Sequence, residues 1–82
     1  GSASNKSDVE FNLTMTGSNR LKRTHHLMPG QTVVVPEDTI EITAEKSYAS
    51  PLPAKCSVLV TMPDGKKHEI RRAQQTIRTG EK

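Results

Sequence analysis

A strict alternation of apolar and polar residues near the start of the chain constrains the fold more than any other feature. From position 9 to position 16 the even positions are polar and the odd positions are apolar, namely Val9, Phe11, Leu13 and Met15. Successive side chains of a β-strand point to opposite faces, so this pattern predicts a strand with one face in a core and one in water. We therefore expect residues 8–16 to be paired in a sheet, with Phe11 and Leu13 buried.

The same alternation recurs twice further along the chain. Between Ile40 and Glu45, apolar residues alternate with acidic residues and a threonine, which predicts a second half-buried strand. The third stretch covers residues 56–62, and its inward positions are Cys56, Val58, Val60 and Met62. Leu59 is the one apolar residue of this stretch that we expect to face outward.

A turn signal follows the third stretch directly. The residues are Pro63-Asp64-Gly65-Lys66. Asp-Gly between two strand-like runs indicates a β-hairpin, because glycine adopts the positive φ that such a turn needs. The return strand should begin at Lys67 and carry Ile70.

The segments between these strands are less regular. Residues 20–28 show no clean period, and we expect a short strand with Leu21 and Leu27 as its buried ends. Met28-Pro29-Gly30-Gln31 indicates a turn. The run from Gln31 to Val35 contains three consecutive valines, which predicts burial on both faces. Prolines at positions 51 and 53 predict an extended connection over residues 48–53.

Two alternatives stay open for residues 70–79. Ile70, Ala73 and Ile77 have the spacing of one helical face. However, no N-cap residue precedes them, and the hairpin needs residues 67–71 to be extended. We expect a strand through about Arg72, followed by another short strand or an irregular tail.

Together these segments predict five to seven short strands and at most one helix. The hydrophobic fraction is 32%, with one phenylalanine, one tyrosine and no tryptophan, so the core should be small and aliphatic. The predicted fold class is all-β (mainly β): a small antiparallel β-sandwich, immunoglobulin-like, or a small barrel. We expect a disordered tail over residues 1–7, a single domain over residues 8–79 and a second tail over residues 80–82.

The compartment is constrained only weakly. Cys56 is the single cysteine, which excludes an internal disulfide. No apolar run approaches the roughly 20 residues of a membrane-spanning helix. The chain begins with Gly1-Ser2 rather than methionine, and we interpret this pair as an expression scar. A natural chain that continues upstream would favour an exported protein, whether periplasmic, at the cell surface or in a virion.

Basic residues are concentrated in two clusters, one at positions 20–26 and one at positions 66–72. Folded together, they could form one patch for an acidic protein partner or for nucleic acid. Nucleic acid is the weaker alternative, because single-strand binders add stacking aromatic residues and only Phe11 and Tyr48 are available. The candidate partner-binding residues are Arg20, Lys22, Arg23, His25, His26, Lys67, Arg71 and Arg72.

The sequence predicts no metal, no cofactor and no catalytic site. Side chains of adjacent strand residues point to opposite faces, so His25 and His26 could bind one ion only from a loop. The spacing of the histidines and Cys56 matches no zinc motif, and Cys56 is in phase with the predicted core. Neither a glycine-rich phosphate loop nor a nucleophile motif is present, so we do not expect an enzyme.

These observations favour a non-enzymatic protein-binding or assembly module. A small β domain with a small core binds through its loops and sheet edges, where unpaired strand groups accept another strand. The candidate surfaces are the loop around Arg20–His26 and the segment 48–53. A small basic nucleic-acid-binding β-barrel is the alternative.

Overall fold

A computed structural model describes residues 1–47 and 55–80, and this part of the chain contains strands and no helix. The all-β fold class is therefore confirmed. The strands number eight, one more than the largest count that the sequence predicts. They are β1 (Ser2–Asn5), β2 (Phe11–Gly17), β3 (Lys22–Leu27), β4 (Thr32–Val34), β5 (Thr39–Lys46), β6 (Val58–Thr61), β7 (Lys67–Ile70) and β8 (Gln74–Arg78).

The strands form two four-stranded sheets, and every neighbouring pair is antiparallel. Sheet A has the order β4-β1-β6-β7, and sheet B has the order β3-β2-β5-β8. Both sheets contribute to one buried cluster, so the architecture is a small β-sandwich. The immunoglobulin-like assignment stays a prediction.

The core is aliphatic apart from one aromatic ring. Phe11 and Leu13 are fully buried, as the alternation of β2 predicts. The inward positions of the third alternating stretch are confirmed as well, because Val58, Val60 and Met62 are buried and Cys56 packs against the same cluster. The remaining buried hydrophobic residues are Ala3, Val9, Met15, Leu27, Val35, Ile42, Ala44, Ile70 and Ile77.

The prediction of a disordered tail over residues 1–7 is wrong. Ser2–Asn5 forms β1, which pairs with β4 on one side and with β6 on the other. Its polar, small residues give no apolar signal, but backbone pairing on both sides stabilises a strand whatever its side chains. The folded domain also includes Gly80, which the sequence assigned to the C-terminal tail, because the Gly80 N–H donates a hydrogen bond to Asp64 Oδ2 at 3.1 Å. Residues 81–82 lie outside the described residues.

A buried asparagine connects the two sheets where the chain leaves β1. Asn5 Nδ2 donates hydrogen bonds to the carbonyl of Val9 at 2.9 Å and to that of Leu27 at 3.0 Å. Asn5 Oδ1 accepts a hydrogen bond from the Ser7 N–H at 2.9 Å. The side chain is fully buried, and its hydrogen bonds fix the backbone where the chain begins to cross from sheet A to sheet B.

The valine run is not buried on both faces, contrary to the prediction. Val35 is buried, but Val34 has 74% of its surface exposed. The reason is that the sandwich has two layers: Val33, opposite buried Ala3, faces the core, whereas Val34 is on the outer face of sheet A. Leu21 and Ile40 are also exposed, because Leu21 precedes β3 and Ile40 faces out of β5.

The predicted hairpin is confirmed. Val58 pairs with Ile70 and Thr61 pairs with Lys67, and Gly65 at the tip has a φ of 85°. The C-terminal segment is a second strand rather than a helix, because β8 pairs with β5 along its whole length. Ile70 and Ile77 face the core from different sheets, so their helix-like spacing is a consequence of the chain changing sheets between β7 and β8.

The proline-containing segment 48–53, a candidate surface in the sequence, lies outside the described residues. Within residues 1–47 and 55–80, no helix is long and apolar enough to cross a membrane.

Candidate functional site

The two basic clusters lie at opposite edges of the sandwich. The cluster at positions 20–26 is on and beside β3, an edge of sheet B that packs next to β4, an edge of sheet A. Lys67 is on β7 and Arg71 and Arg72 follow it, at the far edge of sheet A. The single combined patch that the sequence suggested is therefore not formed. We call the side with β3 and β4 the open edge and the side with β7 and β8 the closed edge.

The closed edge is linked by contacts between its own residues. The hairpin loop reaches the end of β8, where Lys66 Nζ donates to the Gly80 carbonyl at 3.4 Å and Asp64 accepts from the Gly80 N–H. Arg71 forms an ion pair with Glu69 at 2.7 Å. These contacts connect the hairpin loop to the end of β8, while in the described chain β7 pairs only with β6 and β8 only with β5.

These contacts shift the ionisation of two carboxyl groups. A hydrogen bond from Arg71, followed by one from the Ser57 hydroxyl, lowers the pKa of Glu69. The same contact raises the pKa of Arg71. The backbone N–H of Lys66 lowers the pKa of Asp64, and that of Gly80 adds to the effect. Both carboxylates therefore stay ionised at neutral pH and favour the folded chain.

The open edge presents backbone groups that no other described strand pairs with. The Gly17 N–H donates a hydrogen bond to the Leu21 carbonyl at 2.9 Å. Gly17 and Leu21 are therefore a hydrogen-bonded pair, and this tells which of the following residue pairs of β2 and β3 are hydrogen-bonded. In an antiparallel pair every second residue directs its N–H and C=O toward the partner strand, and the others direct them away. The residues of β3 that point away from β2 are Lys22, Thr24 and His26.

The same reasoning applies to β4. The Val35 N–H donates to the Gly1 carbonyl at 2.8 Å, and Ala3 and Val33 form the next hydrogen-bonded pair. Thr32 and Val34 therefore direct their backbone groups away from β1. Within residues 1–47 and 55–80, the open edge thus carries two rows of donors and acceptors that no strand pairs with, one from each sheet.

A groove of about 540 Å³ lies between these two strands. The turn Met28–Gln31 joins β3 to β4 and has its Gly30 at a φ of 87°. The side chains and backbone that line it belong to Met15, Gly17, Asn19, Leu21, Arg23, His25, Thr32, Val33, Val34, Pro36, Asp38 and Thr39.

The cations of the open edge lack carboxylate partners. In the part of the chain that the structure describes, no ion pair involves Arg20, Lys22 or Arg23. Arg23 lines the groove, whereas Lys22 lies on the outer face of sheet B beside Thr16. Asp38 is the one acidic residue among those lining the groove.

The two histidines point to opposite faces of β3, as expected. His25 lines the groove. His26 lies on the outer face, where Asn12 Oδ1 is 2.8 Å from Nδ1 and Glu10 Oε2 is 3.1 Å from Nε2. No group of three His, Cys, Asp or Glu side chains suited to a metal ion occurs among the residues that the structure places.

Sequence reasoning located β3 and the valine run of β4, but it did not identify either strand as a sheet edge. For β3 the available signal was the absence of inward apolar residues between Leu21 and Leu27, since a basic strand of this kind is typical of a sheet edge. No protein-family model, curated protein or solved structure matches this chain. Function is therefore inferred from the geometry of the open edge.

Proposed function

We propose that the chain is a non-enzymatic protein-binding or assembly module that adds an extended segment of another protein to β3. The observation that carries this proposal is the row of unpaired backbone groups at Lys22, Thr24 and His26 beside a groove. A docked strand would satisfy these groups and extend sheet B. Main-chain hydrogen bonds would provide affinity, and side chains entering the groove would provide selectivity.

The contrast between the two edges supports this assignment. At the closed edge, the hydrogen bonds to Gly80 link the hairpin loop to the end of β8. Charged side chains discourage unselective pairing at a sheet edge, and β3 carries them, whereas β4 has no charged residue and its Val34 is mostly exposed. Because a groove lies beside these two strands, the open edge is the more suitable place for a partner of matching charge.

The separation of the basic clusters argues against the nucleic-acid alternative. The two inner strands of each sheet lie between the clusters, so the cations do not form one continuous patch along which a duplex would bind. We expect binding of double-stranded DNA to be undetectable below about 100 μM at physiological salt. Micromolar duplex binding that disappears when Arg71 and Arg72 are both replaced by alanine would favour the alternative instead.

Selection of linear peptides from a random displayed library, followed by affinity measurements with an edge-blocked variant, tests strand addition. In Thr24→Pro, the proline removes an N–H that points away from β2, so no hydrogen bond of the β2–β3 ladder is lost. We expect the selected peptides to bind this variant at least about tenfold more weakly than the original chain. Thr24→Val is the matched control, because it keeps the N–H and loses only the hydroxyl that contacts Thr14.

Amide chemical shifts of the unliganded variants show whether each remains folded. Peptides that bind Thr24→Pro as tightly as the original chain would contradict docking on β3. Failure to select any peptide that perturbs the amide signals of β3 would contradict it as well.

A further inference from the structure

We infer that the partner of the open edge is an acidic extended segment, whose carboxylates pair with Lys22 and Arg23 while an apolar side chain enters the groove. This inference rests on the proposed function, because it names the chemistry of the segment that would pair with β3.

The first reason is the charge along β3. Lys22 and Arg23 are adjacent, so one is on the outer face of sheet B and the other is in the groove. Both are exposed, and Arg20 adds a third cation just before the strand. Asp38 is the only opposing charge in the groove, and it forms no ion pair with these residues in the described chain. Opposite charges on paired strands stabilise the pairing, so the partner segment should contribute acids here.

The register of an added strand places these acids. A partner residue opposite Arg23 or His25 would point into the groove, and one opposite Lys22 or Thr24 would point outward. Two successive acidic residues would therefore meet one cation on each face. The His26 side chain already contacts Glu10 and Asn12, so it is less available for a partner carboxylate.

The second reason is the apolar lining of the groove. Met15 lies in its floor, and Val33 packs against the core from β4. Leu21, which also lines the groove, is 63% exposed. A partner residue opposite His25 would face this lining, and an apolar side chain there would remove surface from water on both sides.

A second copy of this chain is a poorer occupant. If β3 paired antiparallel with β3 of another copy about Thr24, Lys22 would lie opposite His26 and Arg23 opposite His25, so the paired strand would offer these cations no carboxylate. Pairing through β4 alone would involve only Thr32–Val34. An acidic partner has neither disadvantage.

Three labelled peptides test the chemistry directly by fluorescence anisotropy. The acidic probe is acetyl-Thr-Val-Thr-Asp-Glu-Val-Thr-amide, which in antiparallel pairing places Asp-Glu opposite Arg23 and Lys22 and its first valine opposite His25. The neutral probe has Asn-Gln in place of Asp-Glu, and the basic probe has Lys-Lys there. At low salt we expect the acidic probe to bind at least about fivefold more tightly than the neutral probe, and the basic probe to bind most weakly. The preference should shrink in about 0.5 M salt, where screening shortens the range of the charge interactions.

Charge reversal assigns the preference to residues. In the double variant Lys22→Glu with Arg23→Glu, the basic probe should bind more tightly than the acidic probe. Lys67→Glu with Arg72→Glu makes the same change in net charge at the closed edge, so it should leave the original preference intact. If the reversed variant does not fold, Lys22→Gln with Arg23→Gln replaces it, and the three probes should then bind about equally.

Failure of this inference can be distinguished from failure of the proposed function. If the acidic and neutral probes bind equally and both lose affinity in Thr24→Pro, docking on β3 stands and the acidic partner is wrong. If the acidic preference persists after the changes at Lys22 and Arg23, the inference is also wrong. A dimer that depends on concentration and disappears in Thr24→Pro would make a second copy the occupant. If no probe and no selected peptide binds the open edge, both proposals fail.

Discussion

Asn5 should be one of the most important polar residues for stability, although it lies in a segment that has no apolar signal. Its side chain makes three hydrogen bonds, all to backbone groups, and has none of its surface exposed. In Asn5→Ala, the Ser7 N–H and the Val9 carbonyl lose this partner, while the Leu27 carbonyl still faces Phe11 in the ladder. Each buried group left without a partner costs about 1–3 kcal/mol, so we expect a loss of about 3 kcal/mol in total.

Urea denaturation followed by circular dichroism measures this loss. A chain of 82 residues has a free energy of unfolding of roughly 4–12 kcal/mol, so the variant should be much less stable but measurable. Asn19→Ala is the matched control, because Asn19 Oδ1 also accepts a backbone hydrogen bond, from the Leu21 N–H at 3.1 Å, but is exposed to water. The control should lose less than about 1 kcal/mol. Equal losses in the two variants would refute the role of burial at Asn5.

Asn5→Asp tests the direction of the hydrogen bonds. The new carboxylate can still accept from the Ser7 N–H, but its second oxygen would face the carbonyls of Val9 and Leu27. Burial and these carbonyls should raise the folded-state pKa of the new Asp above its unfolded value of about 3.9. The folded chain then binds the proton at a pH where the unfolded chain does not, so stability should increase as the pH falls toward about 4. An Asp variant as stable as the original chain at pH 7 would show that the Nδ2 contacts contribute little.

Three further outcomes follow from the fold. Phe11→Ala should reduce the free energy of unfolding, measured by urea denaturation, by about 3 kcal/mol or more. Leu59→Ala, on the outer face of sheet A, should reduce it by less than about 1 kcal/mol. A small loss for Phe11→Ala would contradict the place of Phe11 in the core. Gly65→Val should reduce the free energy of unfolding by about 1–2 kcal/mol in the same assay, because a β-branched residue resists a positive φ. Gly65→Asn should reduce it by less, and equal losses in the two variants would argue against backbone strain. The lowered pKa values of Asp64 and Glu69 mean that their contribution to stability is present above pH about 4 and is lost as the pH falls through the folded-state values. Carboxyl NMR titration should find both pKa values below the ordinary ones, and a profile of stability against pH that is unchanged in Asp64→Asn with Glu69→Gln would contradict this link.

The alternating residues were sufficient to predict much of the sheet structure. Burial of Phe11 and Leu13 in β2 and the hairpin at Gly65 follow from local patterns, because period-2 alternation and positive φ are properties of the segment itself. The sequence also identified the basic segment at positions 20–26 as a candidate surface. Its position at the open edge agrees with that choice, while the role in binding stays a proposal.

Other features could not be predicted because they depend on neighbours distant in the chain. Ser2–Asn5 is a central strand only because β4 and β6 lie on either side of it, and its own residues carry no such signal. Three consecutive valines predicted burial on both faces, but Val34 is exposed because it is on the outer face of sheet A, which no described element covers. Local patterns define which face of a strand is apolar, and they do not specify which strands are its neighbours.

The sequence by itself determined the fold class, the inward residues of the regular strands and the tip of the hairpin. Only the tertiary structure decided that β3 and β4 are edges, that a groove separates them, and that Lys22 and Arg23 lie far from Lys67 and Arg72. The physical reason is that strand order is set by hydrogen bonds between segments far apart in sequence, and each such bond is available to any extended backbone. An open edge is therefore a property of the assembled sheets, and no single segment encodes it.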